Sequence, residues 1–254
     1  MTVWNDFLAQ HLADKQAQDN ERQLTPMARD GLYAEVAGQR LLNLAGNDYL
    51  ALGTRSDWQR EFQQKLTAQG QYWSSSSSQL LTGHSPLHQQ VEATLARLFQ
   101  REAALTFASG YQMNFGLLNA LSTGKVLILA DKLVHASMVD GLLISKATFL
   151  RYRHNDMAHL HALLCQHHAA FERIIIVTES VFSMDGDIAD LQQLVAFKRE
   201  FANVALYVDE AHAIGVRGES GLGCAEEQGC VAEIDFLVGT FGKAVHSVGG
   251  YVLC

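Results

Sequence analysis

Seven short apolar runs punctuate the chain from residue 103 onward: Ala103 to Phe107, Val126 to Leu129, Thr148 to Leu150, Arg173 to Thr178, Val204 to Val208, Phe236 to Gly239 and Tyr251 to Leu253. Most intervals between them are long enough for a crossover helix, which parallel neighbours in one sheet require. Helical spacing marks the ground between: Leu87, Val91, Leu95 and Leu98 precede the first run, and Leu191, Leu194, Phe197 and Phe201 lie ahead of Val204. The alternation predicts an α/β fold, a mainly parallel sheet sandwiched by helices. Ligands of such open sheets gather at the carboxyl ends of the strands. Ser109-Gly110, Asp209 and Thr240 fall at such ends.

Ahead of this pattern, Val3, Trp4, Phe7, Leu8 and Leu12 recur at helical spacing. They predict an amphipathic helix in an N-terminal helical arm, residues 1–40, which must dock on something larger. Residues 41–254 form the large domain, opening on a short strand candidate, Leu41 to Leu44. The run Ser74 to Ser78 follows Trp73 and precedes Leu80-Leu81-Thr82-Gly83. It reads equally as a flexible linker or as an ordered polar loop offering hydroxyls and backbone donors to a ligand.

With 254 residues, 48% of them hydrophobic, the chain has material for a substantial core. A formal charge of −8, with no block of Lys and Arg to reverse it locally, argues against a nucleic-acid partner. No purely aliphatic run, Ile174 to Val177 included, is long enough to span a bilayer, and the N-terminus alternates charges instead of building a signal-peptide core. A cytoplasmic protein without membrane contact is expected. Cys165, Cys224, Cys230 and Cys254 make no Cys-x-x-Cys pair, so neither a disulfide framework nor a zinc site is suggested. His154, His159, His161, His167 and His168 sit among polar neighbours and read as a solvated face in preference to a metal-ligand set.

Chemistry enters with two motifs, Tyr-Val-Asp-Glu-Ala-His over Tyr207 to His212 and Val-Gly-Thr-Phe-Gly-Lys-Ala over Val238 to Ala244. An amine such as Lys243, in a turn of small residues, can bond covalently to an aldehyde cofactor. A carboxylate such as Asp209, ending an apolar strand, can hold a pyridine nitrogen protonated so that the ring accepts electrons. Alone, Lys243 would be a surface lysine and Asp209 a helix cap or a buried structural carboxylate. Together they describe a pyridoxal phosphate site. Ser109-Gly110-Tyr111 stands where a strand gives way to a helix pattern through Asn114, Leu117 and Leu118, a ready seat for a phosphate dianion, and Thr240 can add a hydroxyl. His135 can lay its ring on the cofactor, or be a core or turn histidine. His212 can reach the phenolic oxygen if the chain turns just past the strand. Thr178 to Gly186 ends another strand with a carboxylate, Glu179, and with hydroxyls that include Ser183; a turn on Asp185-Gly186 accounts for part of it.

These residues carry a resemblance to the α-oxoamine synthases, a branch of the fold-type I pyridoxal phosphate enzymes. The matching runs are Asn47-Asp48-Tyr49-Leu50, Phe107 to Tyr111, His135-Ala136-Ser137, Val181 to Gly186, Val208 to His212 and Thr240 to Lys243, in family order over almost the whole chain. His154-Asn155-Asp156 and Phe182 to Asp187 most resemble the biotin-pathway member. The resemblance implies an aminotransferase-like large domain and a decarboxylative condensation of L-alanine with a pimeloyl thioester, carried on coenzyme A or a carrier protein. It implies that Lys243 bonds to the cofactor and moves the Cα proton, that His135 stacks on the ring beside Asp209, and that His212 and Ser183 meet the phenolic edge. Ser109, Gly110, Tyr111 and Thr240 surround the phosphate; Arg22, Asn47 and Glu179 meet the substrate; a homodimer is implied. Three features depart from the pattern. The chain stops at Cys254, where the family continues into a smaller C-terminal domain; a serine run replaces a glycine-rich loop; and Arg22, beside Glu21, is the only nearby candidate for an N-terminal arginine. A glycine-using ligase of the same branch is the close alternative. A truncated fragment or non-catalytic dimerisation partner is the alternative of another class.

Overall fold

The computed structural model describes residues 2–68 and 74–254; Trp73 lies outside them. They divide into two units, Met1–Ala45 and Gly46–Cys254.

In the first unit, α1 (Val3–Ala17) starts at Thr2, whose hydroxyl accepts the Asn5 N–H at 3.3 Å. No residue of α1 is buried, and Trp4 and Phe7, stacked edge to face at 5.9 Å, remain exposed. The unit also holds an antiparallel sheet of β1 (Ala28–Asp30), β2 (Tyr33–Val36) and β3 (Gln39–Leu42). The strand candidate Leu41 to Leu44 thus begins and ends earlier. Pairing of Tyr33 with Leu42 closes the ladder, and Leu44 is exposed.

The second unit opens with α2 (Ser56–Ala68) and α3 (Pro86–Leu98), then alternates through β4 (Ala104–Phe107), α4 (Gly110–Leu121), β5 (Val126–Asp131), α5 (Ala136–Ile144), β6 (Thr148–Tyr152), α6 (Met157–His167), β7 (Arg173–Glu179), α7 (Leu191–Glu200) and β8 (Val204–Asp209). A short α8 (Cys224–Glu227), β9 (Phe236–Thr240) and β10 (Gly250–Leu253) complete it. The seven strands form one sheet in the order β4-β10-β9-β8-β7-β5-β6. Pairs within β9-β8-β7-β5-β6 are parallel, whereas β10 runs antiparallel to both β9 and β4. The sheet is therefore mainly parallel, as its apolar runs predict, with an antiparallel margin that they do not reveal.

Both faces are covered, which is why the central strands read as unbroken hydrophobic runs. Successive side chains point to opposite faces. Leu127, Leu129, Ile174, Ile176, Leu206 and Val208 join the core beneath α3, α6 and α7, while Val126, Ile128, Ile175, Val177 and Tyr207 join the core beneath α4 and α5. Three strands run past their apolar stretches to end on buried carboxylates, Asp131, Glu179 and Asp209. A polar residue looks like a stop signal in sequence. Here each has partners waiting: Asp131 accepts the N–H groups of Leu133 and Asn155 and pairs with His154. His154 accordingly leaves the solvated face expected for it and stands between Asp131 and Asp187, edge-on to Phe182 at 4.4 Å. The serine run leads into a single helical turn, Gln79–Gly83, in which the N–H groups of Leu81 and Gly83 both donate to the Ser78 carbonyl. A Cβ on Gly83 would lie 2.1 Å from the Ser77 carbonyl oxygen, so only glycine closes this turn.

Candidate active site

The carboxyl ends of β7, β8 and β9 and the amino ends of α4 and α5 surround a cavity of about 140 Å³. Parallel register creates it, because Glu179 stands beside Asp209 and Asp209 beside Val238, two residues before Thr240. Gly110, Tyr111, His135, Glu179, Asp209, Thr240 and Lys243, all singled out in the sequence, line the cavity.

One end is an anion seat. Ser109 caps α4, its hydroxyl accepting the Gln112 N–H at 3.1 Å, and leaves the first amides of the helix free of intrahelical partners. A Cβ on Gly250 would meet Gly110 Cα at 2.8 Å and Gly110 N at 2.9 Å, so glycine in β10 is what lets the helix end come this close to the sheet. Thr240 borders the seat; its hydroxyl donates to the Gly249 carbonyl at 2.9 Å and accepts the Gly242 N–H at 3.1 Å.

At the other end is Asp209, 6% exposed, with Oδ1 accepting the Ala211 N–H and Oδ2 accepting Asn114 Nδ2, each at 2.9 Å. Glu179 accepts the His135 N–H at 2.6 Å. Burial, reinforced by repulsion from Asp209, pushes its carboxyl up to about 8, against the pull of that N–H and of Lys243. The exposed ring of His135 caps α5 and receives the Ser137 N–H and hydroxyl at Nδ1, which leaves its proton on Nε2.

Lys243 projects from the turn between β9 and β10, with Nζ 2.5 Å from His212 Nε2. Burial lowers its pKa, against the attraction of Asp209 and Glu179. His212 is pushed down to about 4, chiefly by burial and then by Lys243 and His135, so the neutral ring accepts from the lysine. Its Nδ1–H then donates to the Tyr49 hydroxyl at 2.8 Å, and that hydroxyl donates to Asn47 Oδ1 at 3.2 Å. Asn47 thus joins the site through Tyr49. Ser183 is exposed on the turn after β7 and does not line the cavity, and Arg22 lies in the first unit, on an exposed stretch between α1 and β1.

Asn114, Ser137, Tyr207 and Tyr49 belong to the constellation although motif reading did not assign them roles. One signal was available for Asn114: it shares the inward stripe of α4 with Leu117 and Leu118, where an amide has no apolar reason to be. As a chemical unit the site offers an amine of depressed basicity, an anion seat, a buried carboxylate and an imidazole face around one cavity.

A family model, aminotransferase class I and II, matches residues 39–254. A protein of Pasteurella multocida (strain Pm70) named "Putative 8-amino-7-oxononanoate synthase" is 52% identical over 248 residues, covering 98% of this chain and 64% of its own length. A structure of a variant serine palmitoyltransferase from S. paucimobilis with a bound PLP–myriocin aldimine is 28% identical at a TM-score of 0.86, covering all of this chain and 64% of that one. The crystal structure of 8-amino-7-oxononanoate synthase from Francisella tularensis is 28% identical at a TM-score of 0.65, covering 82% and 57%. The chain therefore spans 64% of the length of the Pasteurella relative. With strand order, cavity and lysine turn in place, and with the family model matching the whole of the second unit, this chain belongs to the aminotransferase class I and II family, where its relatives are α-oxoamine synthases.

Proposed function

We propose that this chain carries the cofactor-binding part of a pyridoxal phosphate-dependent α-oxoamine synthase that condenses L-alanine with a pimeloyl thioester. The products would be 8-amino-7-oxononanoate, carbon dioxide and the free thiol of coenzyme A or a carrier protein, a step of biotin biosynthesis. The observation that carries this reading is the convergence of Lys243 and Asp209 on one cavity beneath the amino end of α4; the 52% identity to the Pasteurella relative supports the choice of reaction.

The residues fit the cofactor by their donor chemistry. The α4 terminus with Ser109, Gly110, Tyr111 and Thr240 suits a phosphate, Asp209 a protonated pyridine nitrogen, His135 a ring face, and Lys243 an aldehyde. When bound, the group supplies an electron sink for the carbon from which a proton or carboxylate is lost.

The chain's own residues do the rest. Lys243, its basicity lowered by burial, is the proposed nucleophile and the proposed acceptor of the Cα proton. His212 accepts at Nε2, facing the lysine nitrogen, and Tyr49 holds its other nitrogen. Asp209 sets the charge of the pyridine nitrogen from a buried, doubly hydrogen-bonded position. Glu179 and Asn47, both of the second unit, are the proposed substrate contacts. A homodimer in the cytoplasm is the proposed setting; no helix among the described residues is long and apolar enough to cross a membrane.

The test is a visible absorbance spectrum of the chain with added pyridoxal phosphate, before and after borohydride, with Lys243→Ala beside it. A lysine-dependent band fixed by reduction, perturbed by alanine more than by glycine, is expected. A band that persists in Lys243→Ala would end this reading, and a response to glycine alone would turn it toward the glycine-using ligase.

A further inference from the structure

We infer that Asn114, locked by Tyr207, is a positioning residue that aims both the Asp209 carboxylate and the His135 ring at the cofactor seat. The inference rests on the proposed pyridoxal phosphate site and adds residues to which the motifs assign no part.

Asn114 is 2% exposed and lies on α4, four residues past Gly110. Its Oδ1 accepts from the Tyr207 hydroxyl at 2.6 Å. Tyr207 is fully buried, and burial together with Asp209 holds its phenol far above the usual range, so it remains a donor. That bond settles the orientation of the amide. Nδ2 must then point the other way, and it donates to Asp209 Oδ2 at 2.9 Å and to Ser137 Oγ at 3.1 Å. The Ser137 hydroxyl in turn donates a hydrogen bond to His135 Nδ1 at 2.8 Å. Every donor points in one sense, from Tyr207 through Asn114 to the carboxylate on one branch and to the imidazole on the other.

Packing alone does not account for this arrangement. Met113, Leu117 and Leu118 fill the neighbouring inward positions of α4, and burying an amide without use for its polar atoms is unfavourable. Here both N–H groups are spent on neighbours of the cavity. Asp209 is also tied by its own Ala211 N–H, so Asn114 supplies the second point that fixes the plane of the carboxylate. Helix α4 thereby couples the phosphate seat at its first residue to the pyridine partner near its middle.

The experiment uses the full chain loaded with pyridoxal phosphate labelled with nitrogen-15 in the ring, whose resonance reports the protonation that Asp209 imposes. Unaltered protein should show the protonated signature and the borohydride-fixed band at Lys243. Asn114→Ala should keep the band, bind the cofactor about tenfold or more weakly, as loss of a hydrogen bond to a charged group implies, and move the nitrogen resonance toward the unprotonated position. Tyr207→Phe, which removes one hydroxyl and leaves the packing, should move it the same way by less. If Asn114→Ala does not fold, Tyr207→Phe decides the matter alone. An unmoved resonance with wild-type affinity would make Asn114 a packing residue, whatever its melting temperature, and overturn the inference. Absence of the Lys243 band in unaltered protein would instead overturn the functional reading beneath it.

Discussion

Lys243 Nζ stands 2.5 Å from His212 Nε2, and it is the lysine that donates, because burial pushes the histidine down to about 4. The arrangement keeps a neutral imidazole, its Nε2 unprotonated, against the amine at neutral pH and lets the amine be the group that titrates.

Capture of Lys243 by pyridoxal phosphate and borohydride, followed against pH by mass spectrometry of the peptide, should have its midpoint below the 10.5 of a free lysine. Asp209→Asn should lower the midpoint further, since Asp209 attracts the ammonium form. A midpoint at the free-lysine value would show that burial does not act on this amine.

Glu179 gives stability a pH dependence of known sign. Its carboxyl is pushed from 4.5 up to about 8 in the folded chain, so the folded state keeps a proton that the unfolded chain has lost. The associated stability is fully present below 4.5 and is lost as pH rises through 8. His212 works in the opposite sense, losing stability as pH falls from 6.5 through about 4. Comparing Glu179→Gln with the parent between pH 6.5 and 8 isolates the glutamate. The variant should gain about 2 kcal/mol relative to the parent across that window, read by thermal or urea unfolding. A gap that stays constant would mean that Glu179 titrates as an ordinary carboxyl.

Gly250 and Gly116 form a contrasting pair around α4. Gly250→Ala drives a methyl into the backbone of Gly110 and should cost about 1–3 kcal/mol while weakening the affinity for pyridoxal phosphate. Gly116→Ala, within the same helix and with nothing within 4 Å of the new methyl, should stabilise by about 0.5–1 kcal/mol and leave binding alone. Equal effects of the two would contradict the close seating of α4 on β10.

His154→Ala leaves the fully buried Asp131 without its cationic partner and should destabilise by about 3 kcal/mol. Burial lowers the basicity of His154, but Asp131 and then Asp187 outweigh it and hold the imidazole above its ordinary 6.5. The contribution is therefore full below pH 6.5 and fades as pH rises through the raised value. Hydrogen exchange should quicken first in the turn from Val181 to Ile188, which Asp187 ties to this pair. Unchanged unfolding at pH 6 would show that the pair contributes nothing net.

What could be read from the chain alone was whatever local geometry enforces. Apolar runs covered on both faces announce parallel strands, a serine-glycine step announces the start of α4, and a carboxylate closing an apolar strand together with a lysine in a small-residue turn announces the candidate cofactor site. Contacts between residues far apart along the chain were left to the tertiary structure. Tyr207 and Asn114 are 93 positions apart and Tyr49 and His212 are 163 apart, and periodicity carries no information about which side chains meet across a sheet. Insertion of β10 between β9 and β4, antiparallel to both, was equally hidden, because a strand's pattern states that it is buried and not beside which neighbour. The basicity of Lys243 and the acidity of Glu179 are properties of the assembled cavity, since only folding removes the water that would otherwise hold each near its ordinary value.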